Sequence, residues 1–414
     1  METIKTSTQD ISVDLSQQLI FVEREEKKKK CIKFNTKDIY EIISYFLSIR
    51  TNNESFFIAD LGEVVRKYEQ WTKNLPRVEP FYAIKSNPDP MLIFMLAQLG
   101  VNFDVASKNE IAQVLSYVNS KRIIYANPCK ESSYIQYART NDVDLLIFDS
   151  ECELDKIKLS HPEAKLIIRI KVDDSGSVCR FNSKFGCSFE EVDYLLSYAK
   201  TSKLYVVGLS FHLGSNLKEL GYFEKAIKLS REVFTLAHTK YEYNFTILDI
   251  GGGFPGISNT KPSFEEIANE INNSIDMYFN DIPNLRIIAE PGRFFSTSVY
   301  TFVFSIIGIK KSINNDEEFY NYTVNNGIYS CFNCIKYDYA EPLIQTYNER
   351  SETTYKSLLF GQTCDSLDVI SKEVYLPKLT VGDCLFSCNM GSYSMASSSL
   401  FNGFELPMVH YIYT

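Results

Sequence analysis

The chain has 414 residues, too many for one ordinary domain and suited to two. With 45% hydrophobic and 14% aromatic residues it can bury large cores. A formal net charge of −9 argues against nonspecific nucleic-acid binding and suits a cationic ligand.

The start carries no signal-peptide pattern, because Met1-Glu2-Thr3-Ile4 leads into polar residues. The mixed-charge run Glu23–Lys30 reads as a solvated turn or helix end, not a binding patch. From about residue 56 a rhythm sets in. Short apolar runs fall at Phe81–Lys85, Asn102–Ala106, Arg122–Ala126, Leu145–Asp149, Lys165–Ile170, Val206–His212, Thr246–Ile250 and Arg286–Glu290. Between them, stretches such as Met91–Leu99, Ile111–Val118, Phe189–Ala199, Tyr222–His238 and Phe264–Phe279 space apolar residues three and four apart, as amphipathic helices do. Near-continuous apolar strands separated by helices are parallel and buried on both faces. Their number and span suit an eightfold β/α barrel of the TIM type, typically about 250 residues. An open doubly wound sheet is the competing arrangement.

After Thr301 the pattern turns to strands and turns. Strands are expected at Tyr320–Val324, Ile328–Ile335, Leu358–Gly361 and Asp383–Ser387, punctuated by Asn325-Asn326-Gly327 and Pro377. The polar stretches Asn314–Glu318 and Asn348–Thr354 read as exposed loops. The first 50 or so residues lack the barrel rhythm and are expected to pair with this C-terminal part. The reading is therefore α/β plus all-β: a cofactor-binding barrel over 54–300, and a β-barrel or sandwich domain from 1–53 and 301–414. The longest apolar stretch, Val299–Ile309, is too short and too interrupted to span a bilayer, so a soluble cytoplasmic protein without a membrane partner is expected. Ten cysteines are scattered without a framework. Cys331 and Cys334 form a C-x-x-C, but on a strand they would face opposite sides, and no second pair completes a metal site. Reduced thiols and no metal are the reading.

Several chemistry-bearing residues fall at the ends of barrel strands, where barrel enzymes place catalysis. Lys85 lies between apolar residues and Ser86-Asn87, and burial there would lower its amine pKa and ready it for an aldehyde. Gly251-Gly252-Gly253 follows a strand, where bare backbone amides converge on a phosphate. Ser215 can donate its hydroxyl to the same phosphate. His212, one of four histidines, ends strand six and is read as a neutral ring stacked on a cofactor. Glu290-Pro291-Gly292-Arg293 offers a carboxylate for a protonated ring nitrogen and a planar fork for phosphate. These are the parts that hold pyridoxal 5'-phosphate. A solvated lysine, a flexible turn, a core histidine and a structural salt bridge are the bland readings of the same residues. In the β domain, Tyr337-Asp338 follows an expected strand. Asp338 and Asp365 read as a grip for a terminal ammonium, Cys364 as a proton donor and Tyr393 as a phosphate contact.

The motifs YAIKSN around Lys85, FDVASKNEI, HLGSN, LDIGGGFPG, AEPGRFF, YDYA, TCDSLD and GSYSMASSSLFNGF occur in this order. Together they resemble the eukaryotic-type ornithine decarboxylases, of the alanine-racemase-like fold group, from about residue 35 onward. The resemblance implies decarboxylation of L-ornithine to putrescine in polyamine biosynthesis. Lysine or arginine as substrate, or an inactive regulatory homologue, are the alternatives. It implies that Lys85 bonds the cofactor and that His212 stacks on its ring. Ser215, Gly253, Arg293 and Tyr393 would hold the phosphate, and Glu290 the ring nitrogen. Asp338 and Asp365 would grip the substrate's distal ammonium, beside the proton donor Cys364. Asp104, Arg169 and Glu110 match further residues near the cofactor. It also implies a homodimer with shared active sites, Cys364 and Asp365 reaching the other subunit's cofactor. Lys184 and Asp368 match a pair that bridges subunits.

The sequence departs from the family in three places. Asn216 stands where relatives often have Gly. The chain ends at Thr414, soon after Phe404, without the long degradation tail of vertebrate members, so tail-driven turnover is not expected. Lys130–Arg139, matching the region where relatives bind an inhibitory partner, holds only two basic residues, so an antizyme-like inhibitor is not assumed.

Overall fold

The computed structural model describes residues 3–6, 9–14, 19–22, 29–314, 317–348 and 353–414. Most of the charged run at 23–30 lies outside the described residues, as do 315–316 and 349–352 of the two polar stretches. Two compact units form: Lys67–Phe295, and Met1–Arg66 with Ser296–Thr414.

In the first unit eight parallel strands close into a barrel. They are β1 (Val78–Ala83), β2 (Asn102–Val105), β3 (Ile123–Tyr125), β4 (Leu145–Phe148), β5 (Lys165–Ile170), β6 (Tyr205–Phe211), β7 (Ile247–Asp249) and β8 (Arg286–Ala289). Each pairs with its sequence neighbour, and β8 returns to β1 through Ile287↔Val78, Ile288↔Glu79 and Ala289↔Pro80. That last pairing excludes the open sheet. Phe81, Ile124, Ile147, Ile167, Val207 and Ile288 pack into one buried cluster. Helices α1 (Pro90–Gln98), α2 (Lys108–Leu115), α3 (Ser132–Thr140), α4 (Glu151–Ser160), α5 (Phe189–Thr201), α6 (Tyr222–Tyr241) and α7 (Phe264–Phe279) follow the first seven strands in turn. Their starts are written in the sequence. Asp89 takes the Met91 and Leu92 amides, and Ser188 and Ser263 form reciprocal capping boxes with Glu191 and Glu266. Trp71 is wholly buried against Phe254, Phe264, Phe294 and Phe295, and its indole N–H donates to the Val78 carbonyl at 2.9 Å.

The second unit is a mixed 12-stranded sheet. Its last strand, Met408–Tyr413, lies between Lys29–Lys33 and Phe56–Asp60 and runs parallel to both. Tyr300–Asn314 pairs with Phe56–Asp60, with Cys384–Ser387 and with Glu317–Val324. The barrel unit is narrower than the expected 54–300, because strands Phe56–Asp60 and Tyr300–Asn314 belong to this sheet and pair through Tyr300↔Ala59. The unit also carries a helix that the strand-and-turn reading omitted, Ile39–Ile49. Asp38 caps it, and Ile42, Ile43 and Phe46 pack on Phe56, Ile58, Val303 and Phe386.

The expected strand Ile328–Ile335 does not form. The Asn326 side chain accepts from the amides of Gly327 and Cys331, and this coils the segment into the turn Cys331–Asn333 and the short helix Cys334–Tyr337. Phe332 is buried edge-on against Phe302 and Phe304, which accounts for the apolar run. The facing argument for Cys331 and Cys334 therefore fails. Burial pushes both thiols up to about 12. Among the described residues no helix is long and apolar enough to cross a membrane.

Candidate active site

The C-terminal ends of the barrel strands gather the expected cofactor residues. After Ala83 the chain leaves β1 in the turn Ile84–Ser86. Ile84 and Ser86 are wholly buried, whereas the Lys85 side chain is 45% exposed. The expected burial of Lys85 is thus corrected: the turn carries its amine out at the strand end instead of into the wall. Its Nζ lies 3.2 Å from the buried Asp104 carboxylate on β2. Glu110, on α2, accepts from the Ala106 amide at 2.5 Å, and burial followed by the Asp104 charge raises its pKa.

His212 directly follows β6. Its Nδ1 accepts from the Gly214 amide at 3.0 Å. Burial, then the charges of Arg169 and Lys85, hold its pKa well below the usual value, so the ring is neutral. Phe181 packs edge-on to it at 4.9 Å. Arg169, on β5, is buried with its guanidinium over the Phe185 ring.

Three loops meet on the other side. Arg293 donates to the Ser215 hydroxyl from Nε at 3.2 Å and from Nη2 at 3.1 Å. Gly253 has φ +93°, and a Cβ there would stand 2.2 Å from the Gly214 carbonyl. A Cβ on Gly252 would meet the Glu290 carbonyl at 2.5 Å and His212 Nε2 at 3.1 Å. Only glycine lets these loops close so tightly. A Cβ on Gly292 would stand 2.9 Å from the Ser86 Cβ. Asn216 has φ +59°, in the left-handed region that Asn, like Gly, adopts readily.

Glu290 follows β8, anchored by its amide to the Gly251 carbonyl at 2.7 Å. It is 3% exposed, and its pKa is raised well above the usual value by burial and by the neighbouring Asp249 and Asp104. Glu290 Oε1 and Arg169 Nε and Nη2 are buried without a hydrogen-bond partner among the described residues. Such orphans cost about 1–3 kcal/mol each, so they mark a place for a polar group. A pyridine nitrogen suits Glu290, an aldehyde suits Lys85, and a phosphate suits Arg293, Ser215 and the glycine amides. The residues present therefore fit pyridoxal 5'-phosphate.

The β unit carries the remaining expected residues. Cys364 is exposed, and its amide donates to the Asn402 side chain at 3.0 Å. Asp365 accepts from the Leu367 amide and the Tyr329 hydroxyl, and both bonds hold its pKa below the usual range. Tyr329 stacks on Phe401 at 4.4 Å. Tyr337 is exposed and Asp338 buried, at the end of a short helix and not of a strand. Tyr393 has φ +56° beside the buried Gly391 and Ser392. Asp368 is buried, and its carboxylate accepts from Ile328 N and from the amide and hydroxyl of Thr363. These bonds fix its own loop, while Lys184 is exposed over Phe185. Sequence reasoning missed Asp249, Asn402 and Tyr329. Only Asp249 carried a signal, an acid two residues ahead of the glycine triplet.

Residues 61–297 match the family described as "Pyridoxal-dependent decarboxylase, pyridoxal binding domain". Ornithine decarboxylase of Mus musculus is 42% identical over 393 residues, covering 92% of this chain and 85% of the relative. Ornithine decarboxylase of Schizosaccharomyces pombe is 41% identical, covering 88% and 84%. Antizyme inhibitor 2 of Xenopus laevis is 44% identical, covering 91% and 85%. Among solved structures, the arginine decarboxylase of Paramecium bursaria Chlorella virus bound to agmatine superposes with a TM-score of 0.85 at 34% identity, over 90% of this chain and 100% of that one. The lysine/ornithine decarboxylase of Vibrio vulnificus complexed with putrescine superposes at 0.80 and 27% identity, over 92% and 99%. With the barrel, the lysine at its strand end and the orphaned acid already in place, these likenesses establish that the chain belongs to the pyridoxal-phosphate-dependent amino-acid decarboxylases of the ornithine and arginine decarboxylase family.

Proposed function

We propose that this decarboxylase acts on L-ornithine and releases putrescine and carbon dioxide. The observation that carries the choice is relatedness. The relatives named ornithine decarboxylase in mouse and fission yeast are 42% and 41% identical, above the 34% of the viral arginine enzyme and the 27% of the Vibrio lysine/ornithine enzyme. The cofactor, when bound, supplies the electron sink for loss of the carboxylate. In this reading Lys85 is its covalent anchor, and Asp104 steadies the amine from 3.2 Å. Glu290 would hold the ring nitrogen, His212 would lie against the ring as a neutral imidazole, and Arg169 lines the same strand ends. Ser215, Gly252, Gly253, Gly292, Arg293 and Tyr393 fix the phosphate end. Asp338 and Asp365, with Tyr337, select a cationic side chain, because a neutral one would leave a carboxylate unpaired. Cys364 delivers the proton that replaces carbon dioxide.

Cys364 and its neighbours Leu367, Leu400 and Phe401 are exposed, and such an apolar surface suits a partner copy. The reading therefore includes a homodimer in which Cys364 and Asp365 serve the other subunit's site. Mixing Lys85→Ala chains with Cys364→Ala chains should restore putrescine formation above the level of either variant alone. No restoration would refute the sharing.

Carbon dioxide release from ornithine, lysine and arginine tests the substrate. One methylene in the pocket is worth about 1–3 kcal/mol, so ornithine should lead by roughly 10- to 200-fold in kcat/KM. A faster rate on lysine or arginine would refute the choice. A second reading, a regulatory homologue without activity, is favoured by the 44% identity to antizyme inhibitor 2. Against it, Lys85, His212, Glu290, Arg293, Cys364 and Asp365 are all present. Cofactor absorbance in the purified protein that disappears in Lys85→Ala supports the enzyme, and its absence supports the regulator.

A further inference from the structure

Among the described residues at the C-terminal ends of the barrel strands, Asp249 is the buried acid without a part in the chemistry above. It ends β7 and lies in register with Ser210 on β6 and Ile288 on β8, fully enclosed. Its Oδ1 accepts from the Gly251 amide at 2.9 Å. The Glu290 amide bonds the Gly251 carbonyl at 2.7 Å, and Asp249 Oδ2 and Glu290 Oε1 are both buried without a hydrogen-bond partner among the described residues, so two acids with unmet oxygens end adjacent strands. Two carboxylates cannot share a dry contact unless one proton lies between them.

We propose that Asp249 is a positioning residue. With Glu290 it forms a carboxyl pair that holds one proton, and Glu290 passes this proton to the ring nitrogen it faces. The O–H bond of the pair breaks, an N–H bond forms, and no electrons change hands. Both carboxylates then stand as anions. Asp249 keeps the Gly251 donor, and Glu290 faces the new cation. The surrounding charges suit this balance. Asp104 on β2 opposes ionisation of the pair, Lys85 and Arg169 favour it, and His212 at the end of β6 is neutral. Burial raises the pKa of Asp249 to about 6 and that of Glu290 further, consistent with a proton retained at neutral pH. The proposal rests on the reading that the ring nitrogen sits against Glu290.

The test counts protons. Pyridoxal phosphate is titrated into the cofactor-free full chain by calorimetry, in buffers of different ionisation enthalpy at one pH. Asp249→Asn keeps an acceptor for Gly251 and a donor for Glu290 but has no proton to share. Glu290 then lacks the like charge that helps hold its proton, so at a pH between its values in the two proteins the variant should draw up to one more proton per site from the buffer than the wild type. Equal counts overturn the proposal.

A second measurement needs no cofactor. The pair's raised pKa values stabilise the fold below about pH 4, where the unfolded acids are also protonated, and this is lost as pH rises through about 6 and beyond. Melting temperature should therefore fall less steeply with pH in Asp249→Asn, and identical slopes overturn the proposal. Glu290→Gln separates the two levels. If it binds the cofactor as tightly as wild type, with the same pH-dependent spectrum, the placement of the nitrogen itself fails. If it weakens binding while Asp249→Asn changes neither count nor slope, only the shared proton fails.

Discussion

Arg293→Ala is the sharpest probe of the phosphate corner. The guanidinium is held in place by two bonds to Ser215 Oγ, at 3.2 and 3.1 Å, so its fork is oriented before any anion arrives. A charge-assisted hydrogen bond contributes about 1.5–3 kcal/mol, and a bidentate fork makes two. Some of that is recovered by water entering the gap, leaving a loss of about 2–4 kcal/mol. At about 1.4 kcal/mol per tenfold, the Kd for pyridoxal phosphate should rise by roughly 30- to 700-fold. Ser215→Ala removes a neutral hydroxyl worth about 0.5–1.5 kcal/mol and should raise it only about 2- to 12-fold. The assay is an absorbance titration of the cofactor-free chain. The same titration with pyridoxal, which lacks the phosphate, should show no difference between wild type and Arg293→Ala. An unchanged Kd for pyridoxal phosphate, or an equal loss with pyridoxal, would refute the assignment.

Other expectations follow from single residues. The His212 ring resists protonation when folded, whereas the unfolded ring takes a proton below about pH 6.5. Folding stability should fall by up to about 1.4 kcal/mol for each unit of acidification below that point. His212→Gln should lose this component in urea unfolding measured between pH 5 and 7, and an unaltered acid slope would count against it. Cys364→Ala should slow the proton delivery and divert product toward an aldehyde, read by chromatography of the reaction mixture; a normal product ratio would contradict the role. Trp71→Ala should cost about 3–5 kcal/mol of barrel stability through a cavity and an orphaned Val78 carbonyl, measured by denaturant unfolding. A loss below about 1 kcal/mol would show that the surrounding phenylalanines collapse into the space.

The barrel was legible because parallel strands buried on both faces leave continuous apolar runs, and those runs recur with helices between them. The site was legible where chemistry demands particular side chains beside glycine, as at Gly251–Gly253 and Glu290–Arg293. What escaped depends on contacts between distant residues. The segment 328–335 has the composition of a strand, but the Asn326 side chain captures its amides and Phe332 turns toward Phe302. Lys85 has apolar neighbours in sequence, yet the turn after β1 sends it away from them. Of the two basic residues in 130–139, Lys130 is enclosed, bonding the Ile147 and Asn127 carbonyls and pairing with Glu153, while Arg139 pairs with Glu163 at the surface. Spacing alone cannot tell a sequestered cation from a displayed one.

The interior place of strand Met408–Tyr413 also bears on how the polypeptide matures. Its neighbours at 29–33 and 56–60 leave the ribosome first, but the strand that joins them is made after everything in 67–295. The (β/α) unit can finish on its own local pairings while these early segments wait with open edges. Such edges invite wrong partners during translation, so nascent-chain chaperoning should matter most for the outer ends of the gene product, and least for its middle.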